Sequence, residues 1–361
     1  MDSKRLLYLC CMNRKIVLFI IFSLVFISCR HTPTSTRSDA PAVPQSLKLI
    51  STTPVKEQGD SPTGWIYGML GTLESEHIMK GDSVHLSSAY VVRMMLQEKA
   101  LEYYLSAGEK KITLKGTAAM LVHYINKYGI LPYDSYADKK EMNYESLCQK
   151  TQRLCLKAVN QKVGIARLRT MLATLFDEEM GYLPAKTVHM LGAEYTPLEF
   201  AHSVCYPEEY VALTSFTHHP FREYFALEIP ANEHHDLYLN LPIEEVVKHI
   251  QDALKKGHPV CWEGDISEKS FTDDQKYYID VQPSEKNASQ ASRQKEFESL
   301  NTTDDHVMEI IGNFSYNGTQ YFVCRNSKGT DWGCKGLVFL SEDYIKLKTV
   351  AVYMSEKAFL I

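Results

Sequence analysis

The chain has 361 residues, 45% of them hydrophobic and 23% charged, with 14 Pro and 18 Gly. This composition excludes a mostly disordered, collagen-like or coiled-coil chain, and the length allows two domains or one large two-lobed one. Lysine and arginine total 39 against 44 acidic residues, a net charge of −5, so the basic excess of a duplex-binding protein is missing and no nucleic-acid partner is expected.

The N-terminus stands apart from the fold. Lys4, Arg5, Arg14 and Lys15 form a basic start, and Ile16 to Ile27 is apolar except for Ser23. That run is too short to span a bilayer, which takes about 20 residues, but it suits a signal peptide. It ends Phe26-Ile27-Ser28-Cys29, a small residue directly before a cysteine, which resembles the bacterial lipoprotein cleavage box. The expected organisation is a signal peptide over 1–28, a lipidated N-terminus and linker over 29–50 with Cys29 as the lipid attachment, and a folded domain over 51–361. Residues Arg30 to Gln45 are rich in Ser, Thr, Pro and Ala and read as a tether. The expected location is an exported, membrane-anchored lipoprotein facing the periplasm or the cell surface.

The first half of the domain reads helical. Helices are predicted over Trp65 to Glu76, Ser88 to Ser106 and Thr117 to Lys127, the last stopped by Gly129, with one or two more between Tyr144 and Phe176. Strands are predicted over Tyr210 to Phe216 and Phe225 to Ile229. Pro242 to Lys256 reads as an amphipathic helix with Ile243, Val246, Val247, Ile250 and Leu254 on one face and Gly257 as its stop. Further strands are predicted over Val260 to Trp262, Val307 to Phe314, Tyr321 to Arg325, Leu337 to Leu340 and Thr349 to Met354. Gln282 to Asp305 is polar and reads as a surface insertion. The fold class is α+β, with a mainly helical lobe over 51–205 and a mainly β lobe over 206–361.

Six cysteines follow Cys29, and no spacing fixes a disulfide pairing. Cys205, Cys261 and Cys324 sit beside apolar runs and read as inert buried thiols. No zinc spacing of the CxxC or His-x-x-x-His kind appears. His218-His219 and His234-His235 are adjacent pairs whose side chains diverge on a strand, so neither a metal nor a cofactor is expected.

Three separated segments belong together: Pro54-Val55-Lys56-Glu57-Gln58-Gly59-Asp60-Ser61-Pro62-Thr63-Gly64-Trp65, then Thr302-Thr303-Asp304-Asp305-His306, then Cys324-Arg325-Asn326-Ser327-Lys328-Gly329-Thr330-Asp331-Trp332-Gly333. Together they resemble the papain-like cysteine peptidases. Tyr128-Gly129-Ile130-Leu131-Pro132, Tyr195 to Phe200, Thr217-His218-His219-Pro220-Phe221 and Cys261-Trp262-Glu263-Gly264-Asp265 narrow this to the bleomycin hydrolase / aminopeptidase C family. The resemblance runs from about Pro54 to about Met354. It implies a papain-like two-lobe fold and peptide-bond hydrolysis, in which a thiolate at a helix start attacks a carbonyl and a histidine returns the proton. Carried over, Gln58 takes the oxyanion role, His306 the acid/base role and Asn326 the role of orienting the histidine.

The nucleophile does not carry over. The family's cysteine stands six residues after the glutamine and directly before Trp, which here is Gly64 before Trp65. No cysteine lies between Cys29 and Cys148, and Thr63, one position early, points about 100° away at a helix start. Lys328 replaces the family's Trp, which would wet the His–Asn pair and oppose a second charge on His306. The C-terminal arm that enforces aminopeptidase action is not expected after Met354, which puts the exopeptidase restriction and the hexameric chamber in doubt.

The chain therefore reads as a papain-like homologue without peptidase activity, binding a peptide or protein ligand and the membrane through its lipid. An active cysteine-type (amino)peptidase is the alternative, if Gly64 is a sequence error or a knock-out.

Overall fold

The computed structural model describes residues 47–139, 142–184, 187–190, 192–268, 271 and 277–360. The expected signal peptide, Cys29 and most of the linker lie outside these residues. Among the described residues no helix is long and apolar enough to cross a membrane.

Five helices come first: α1 (Gly64–Met79), α2 (Ser88–Leu105), α3 (Ala118–Tyr128), α4 (Tyr144–Gln161) and α5 (Ile165–Met180). The sequence segments them through its caps. Ser87 accepts from Tyr90 N at 3.0 Å, and Thr117 accepts from Met120 N at 3.2 Å. The interval between Tyr144 and Phe176 resolves into two helices because Lys162 takes a left-handed conformation and closes α4. A short hairpin, β1 (Val188–Met190) and β2 (Ala193–Tyr195), then leads to α6 (Pro197–Val204), opened by a Thr196/Glu199 capping box.

The second half builds one nine-stranded sheet among the described residues. Its strands are β3 (Tyr210–Thr214), β4 (Tyr224–Ala226), β5 (Leu237–Asn240), β6 (Val260–Gly264), β7 (Tyr278–Ile279), β8 (His306–Tyr316), β9 (Thr319–Arg325), β10 (Leu337–Ser341) and β11 (Thr349–Ser355). They lie in the order β4-β5-β3-β11-β6-β8-β9-β10-β7. Pairing is antiparallel except between β3 and β5 and between β7 and β10. The helices interleaved here are α7 (Ile243–Lys255), α8 (Gln290–Glu298), α9 (Glu342–Lys348) and α10 (Glu356–Phe359).

Side chains alternate between two cores. On β6, Cys261 faces the core shared with α1 to α6, and Trp262 faces the core under α7 and α9. Val307 and Met308 divide in the same way on β8. Because both sides of the central strands are covered, their sequences read as nearly continuous apolar runs. The fold is α+β with a helical N-terminal part and a strand-rich C-terminal part.

Some expectations need correction. The Gln282 to Asp305 segment is not a surface insertion. It contains α8, whose Arg293 is 1% exposed, donates from Nε to Ser215 O at 2.7 Å, and covers the Phe216 ring at 4.6 Å. The strand expected over Phe225 to Ile229 covers only Tyr224–Ala226. Both histidine pairs lie in turns rather than on a strand. His218 and His219 do not diverge; both reach Glu228, at 3.3 and 2.6 Å.

Helix α1 is buried on every side from Gly64 to His77, so it shows no apolar stripe. It lies directly on β8. A Cβ at Gly68 would come within 2.7 Å of Val307 Cγ1 and 3.1 Å of the Val307 backbone. Gly68→Ala is expected to cost about 1–2 kcal/mol in urea unfolding, the overpacking strain exceeding alanine's helix-propensity gain. A stabilised variant would show that α1 has room to lift off the strand.

Candidate functional site

The segment before α1 is placed by buried charge. Glu74 on α1, fully buried, takes an ion pair from Lys56 at 2.7 Å and hydrogen bonds from Leu86 N at 2.7 Å and Thr53 Oγ1 at 2.5 Å. Arg325 at the end of β9 pairs with Glu309 at 2.6 Å and donates to Thr53 O at 2.5 Å. Buried pairs of this kind are strongly destabilised when one partner is lost. Backbone bonds complete the docking: Gln58 N donates to Ser327 O at 2.8 Å, and Gly329 N to Lys56 O at 3.1 Å.

These contacts gather Gln58, Gly64, His306 and Asn326 around the N-terminus of α1. His306 opens β8, and Asn326 directly follows β9. His306 Nε2 lies 2.8 Å from Asn326 Oδ1, which also accepts from Ser327 N at 2.8 Å. A carbonyl oxygen only accepts, so Nε2 carries the imidazole proton and Nδ1 keeps its lone pair. That nitrogen faces Gly64. A Cβ on Gly64 would sit 3.0 Å from His306 Nδ1, 3.0 Å from His306 Cε1 and 3.0 Å from Gln58 Oε1. The site is tightly packed around position 64.

Gln58 is also committed. Its Nε2 donates to Ser61 O at 2.9 Å, while its Oε1 accepts a short hydrogen bond from Ser327 Oγ and faces Gly64. Ser327 was not among the sequence candidates, although its place in the Asn-Ser-x-Gly segment was the available signal. Thr63 is fully buried, and its hydroxyl pairs with Ser61 Oγ at 2.8 Å. Ser61 Oγ in turn donates to Gln58 O at 3.1 Å. These bonds lock both hydroxyls into the loop rather than aiming them at His306.

Burial decides the charge of His306. The ring is 7% exposed, and desolvation lowers its pKa to about 4 against the opposing hydrogen bond to Asn326. The Lys328 ammonium adds a smaller depression. The expected charge opposition from Lys328 is thus present, but the expected wetting is not, because Asn326 is 2% exposed and the pair is dry. No thiol substitutes nearby. The six described cysteines are free, and burial pushes Cys148 up to about 11 and Cys155 and Cys205 up to about 12.

Residues 182–359 match the Peptidase C1-like family, a stretch that includes His306 and Asn326. The fold is similar to that of PepW from Lactobacillus rhamnosis, at 19% identity and a TM-score of 0.65, covering 88% of this chain and 83% of that one. The fold is papain-like, and the strand-rich C-terminal part carries the family match. Two further similar structures are a mite allergen of the Blo t 1 and Der p 1 group (13% identity, TM-score 0.44, covering 88% of this chain and 73% of that one) and procathepsin L2 from Tenebrio molitor larval midgut (14%, 0.45, 84% and 64%). None of the curated proteins matches the sequence.

In this papain-like site the neutral imidazole is the favoured form. Between the ordinary histidine value and about 4 the unfolded chain binds the proton and the folded chain does not, so His306 withdraws stability as pH falls through that window. Histidine ring NMR is expected to show a midpoint near pH 4 for His306. A midpoint above 6 would mean that the ring is solvated or paired with an anion.

Proposed function

We propose that this protein is a catalytically silent relative of the bleomycin hydrolase / aminopeptidase C peptidases, exported, held at a bacterial membrane by a lipid on Cys29, and binding peptides without cutting them. The observation that carries the reading is Gly64: the position that would hold the thiol holds hydrogen, and Gln58 and His306 leave a Cβ there only 3.0 Å of room. Loss of a triad nucleophile costs on the order of a million-fold in rate. The buried neutral histidine fits the same reading, since an imidazolium here has no thiolate partner.

A peptide still has somewhere to lie. A cavity of about 490 Å³ adjoins Gln58, lined among others by Lys56, Tyr67, His85, Tyr133 and Tyr144. Aromatic walls with a few polar groups suit a short peptide rather than a small ion. Lipidation would hold that cavity close to the membrane through the Ser/Thr/Pro tether.

The test uses the wild type and Gly64→Cys together. Calorimetry with a panel of pentapeptides is expected to give saturable binding by the wild type, and the recovered peptides should be intact. Gly64→Cys is expected to react with iodoacetamide at the new thiol. Its hydrolysis should stay below that of an intact papain-like enzyme, because Gln58 and His306 must give by a few tenths of an ångström to seat the new side chain. Absence of any pentapeptide binding would end the ligand reading. Full activity of Gly64→Cys would show that position 64 has room for a working side chain.

A further inference from the structure

Away from the cleft, α2, α3 and the turn before β5 bring together residues 98, 123 and 234, which share no sequence spacing. Each of Glu98, His123 and His234 offers a ligand atom, and these atoms lie within 4.8 Å of one another. The two imidazole rings stack at 4.3 Å between centroids. His123 Nε2 is buried and has no hydrogen-bond partner among the described residues, and the same holds for Asp236 Oδ2. Asp236 is close enough to interact electrostatically with both His123 and His234. An unpaired buried imidazole nitrogen and carboxylate oxygen each cost free energy unless something fills the space between them.

We infer that Glu98, His123 and His234 form a binding site for a divalent transition cation of the zinc type, with Asp236 as a supporting or fourth ligand. Two imidazoles and one carboxylate form a donor set that zinc accepts with a position left open. The ligand atoms must draw in to about 2.0–2.2 Å from the ion, which His234, carried on a turn, can do by small rotations. A cavity of about 590 Å³ lined by His123, Asn126, Tyr210, Tyr224 and Asp236 gives the ion a way in. Glu98 Oε2 is paired with Lys127 Nζ at 2.7 Å and accepts a short hydrogen bond from Tyr128 OH, so Lys127 competes with the ion for this carboxylate. Zinc entry expels that ammonium and cross-links two helices of the N-terminal half to the turn leading into β5.

A second cluster, His218, His219 and Glu228, is also close enough to ligate. Its hydrogen bonds argue against it. Thr217 N donates to Gln294 Oε1 at 2.7 Å, which turns Gln294 Nε2 toward His218 Nδ1 at 2.9 Å. His218 Nδ1 therefore accepts, and Nε2 keeps the proton that points at Glu228.

The test is zinc chloride titrated into the full-length protein by calorimetry, with folding of each variant checked by circular dichroism. The wild type is expected to bind one ion. His123→Ala and His234→Ala should each weaken binding by at least about 100-fold, the upper end of what loss of a mere supporting group costs. His218→Ala should leave it unchanged, and Lys127→Met should tighten it by removing the competitor for Glu98. If His123→Ala fails to fold, His234→Ala and Lys127→Met carry the test. No binding by the wild type, binding lost in His218→Ala, or binding insensitive to both His234→Ala and Lys127→Met would overturn the assignment.

Discussion

The closeness of α1 to β8 is the constraint on which the centre of the molecule depends. The helix lies on the strand with hydrogen in place of side chains at Gly64 and Gly68, and Val307 fills the space that a methyl group at position 68 would need. This approach brings the start of the helix against the first residue of the strand, which places Gly64 opposite His306. Interiors at native packing density do not leave such a gap empty. At position 64 the imidazole and the Gln58 amide stand so near the glycine that an added Cβ would lie 3.0 Å from each.

The same packing sets the electrostatics. A histidine in a dry site keeps a charge only if an anion faces it. Here the facing atom is the glycine Cα, and the neighbouring charge is the Lys328 ammonium, so the neutral ring is favoured. Asn326 fixes the tautomer, and Ser327 fixes the rotamer of Gln58. Gln58, His306, Asn326 and Ser327 form one connected arrangement around Gly64. They are held by the Glu74–Lys56 and Glu309–Arg325 pairs, which belong to the fold rather than to the chemistry.

Much of this could be read in the amino-acid order, for physical reasons. Strands β6, β8 and β11 are covered on both faces, so their apolar runs stood out. Helix α3 announced its end through Gly129. Helix α8 did not, because its buried residues include Arg293 and Gln294, a polar inward face that hydrophobic periodicity cannot detect. Helix α9 and strand β5 are too short to show a period. Gln58, His306 and Asn326 were legible through the family resemblance, which also located the missing thiol at Gly64. The tight packing at position 64 was not legible, because it depends on a tertiary approach between α1 and β8. Glu98, His123 and His234 come from three elements and escaped for the same reason.

The central claim is that the tightly packed glycine site performs no thiol chemistry. The most direct measurement is exposure of the wild-type protein to a peptidyl epoxide probe, read by intact mass, alongside turnover of fluorogenic aminoacyl and peptide substrates. The account predicts unchanged mass and no turnover above the uncatalysed rate. Covalent labelling of any residue lining the cleft, accompanied by turnover, would contradict it.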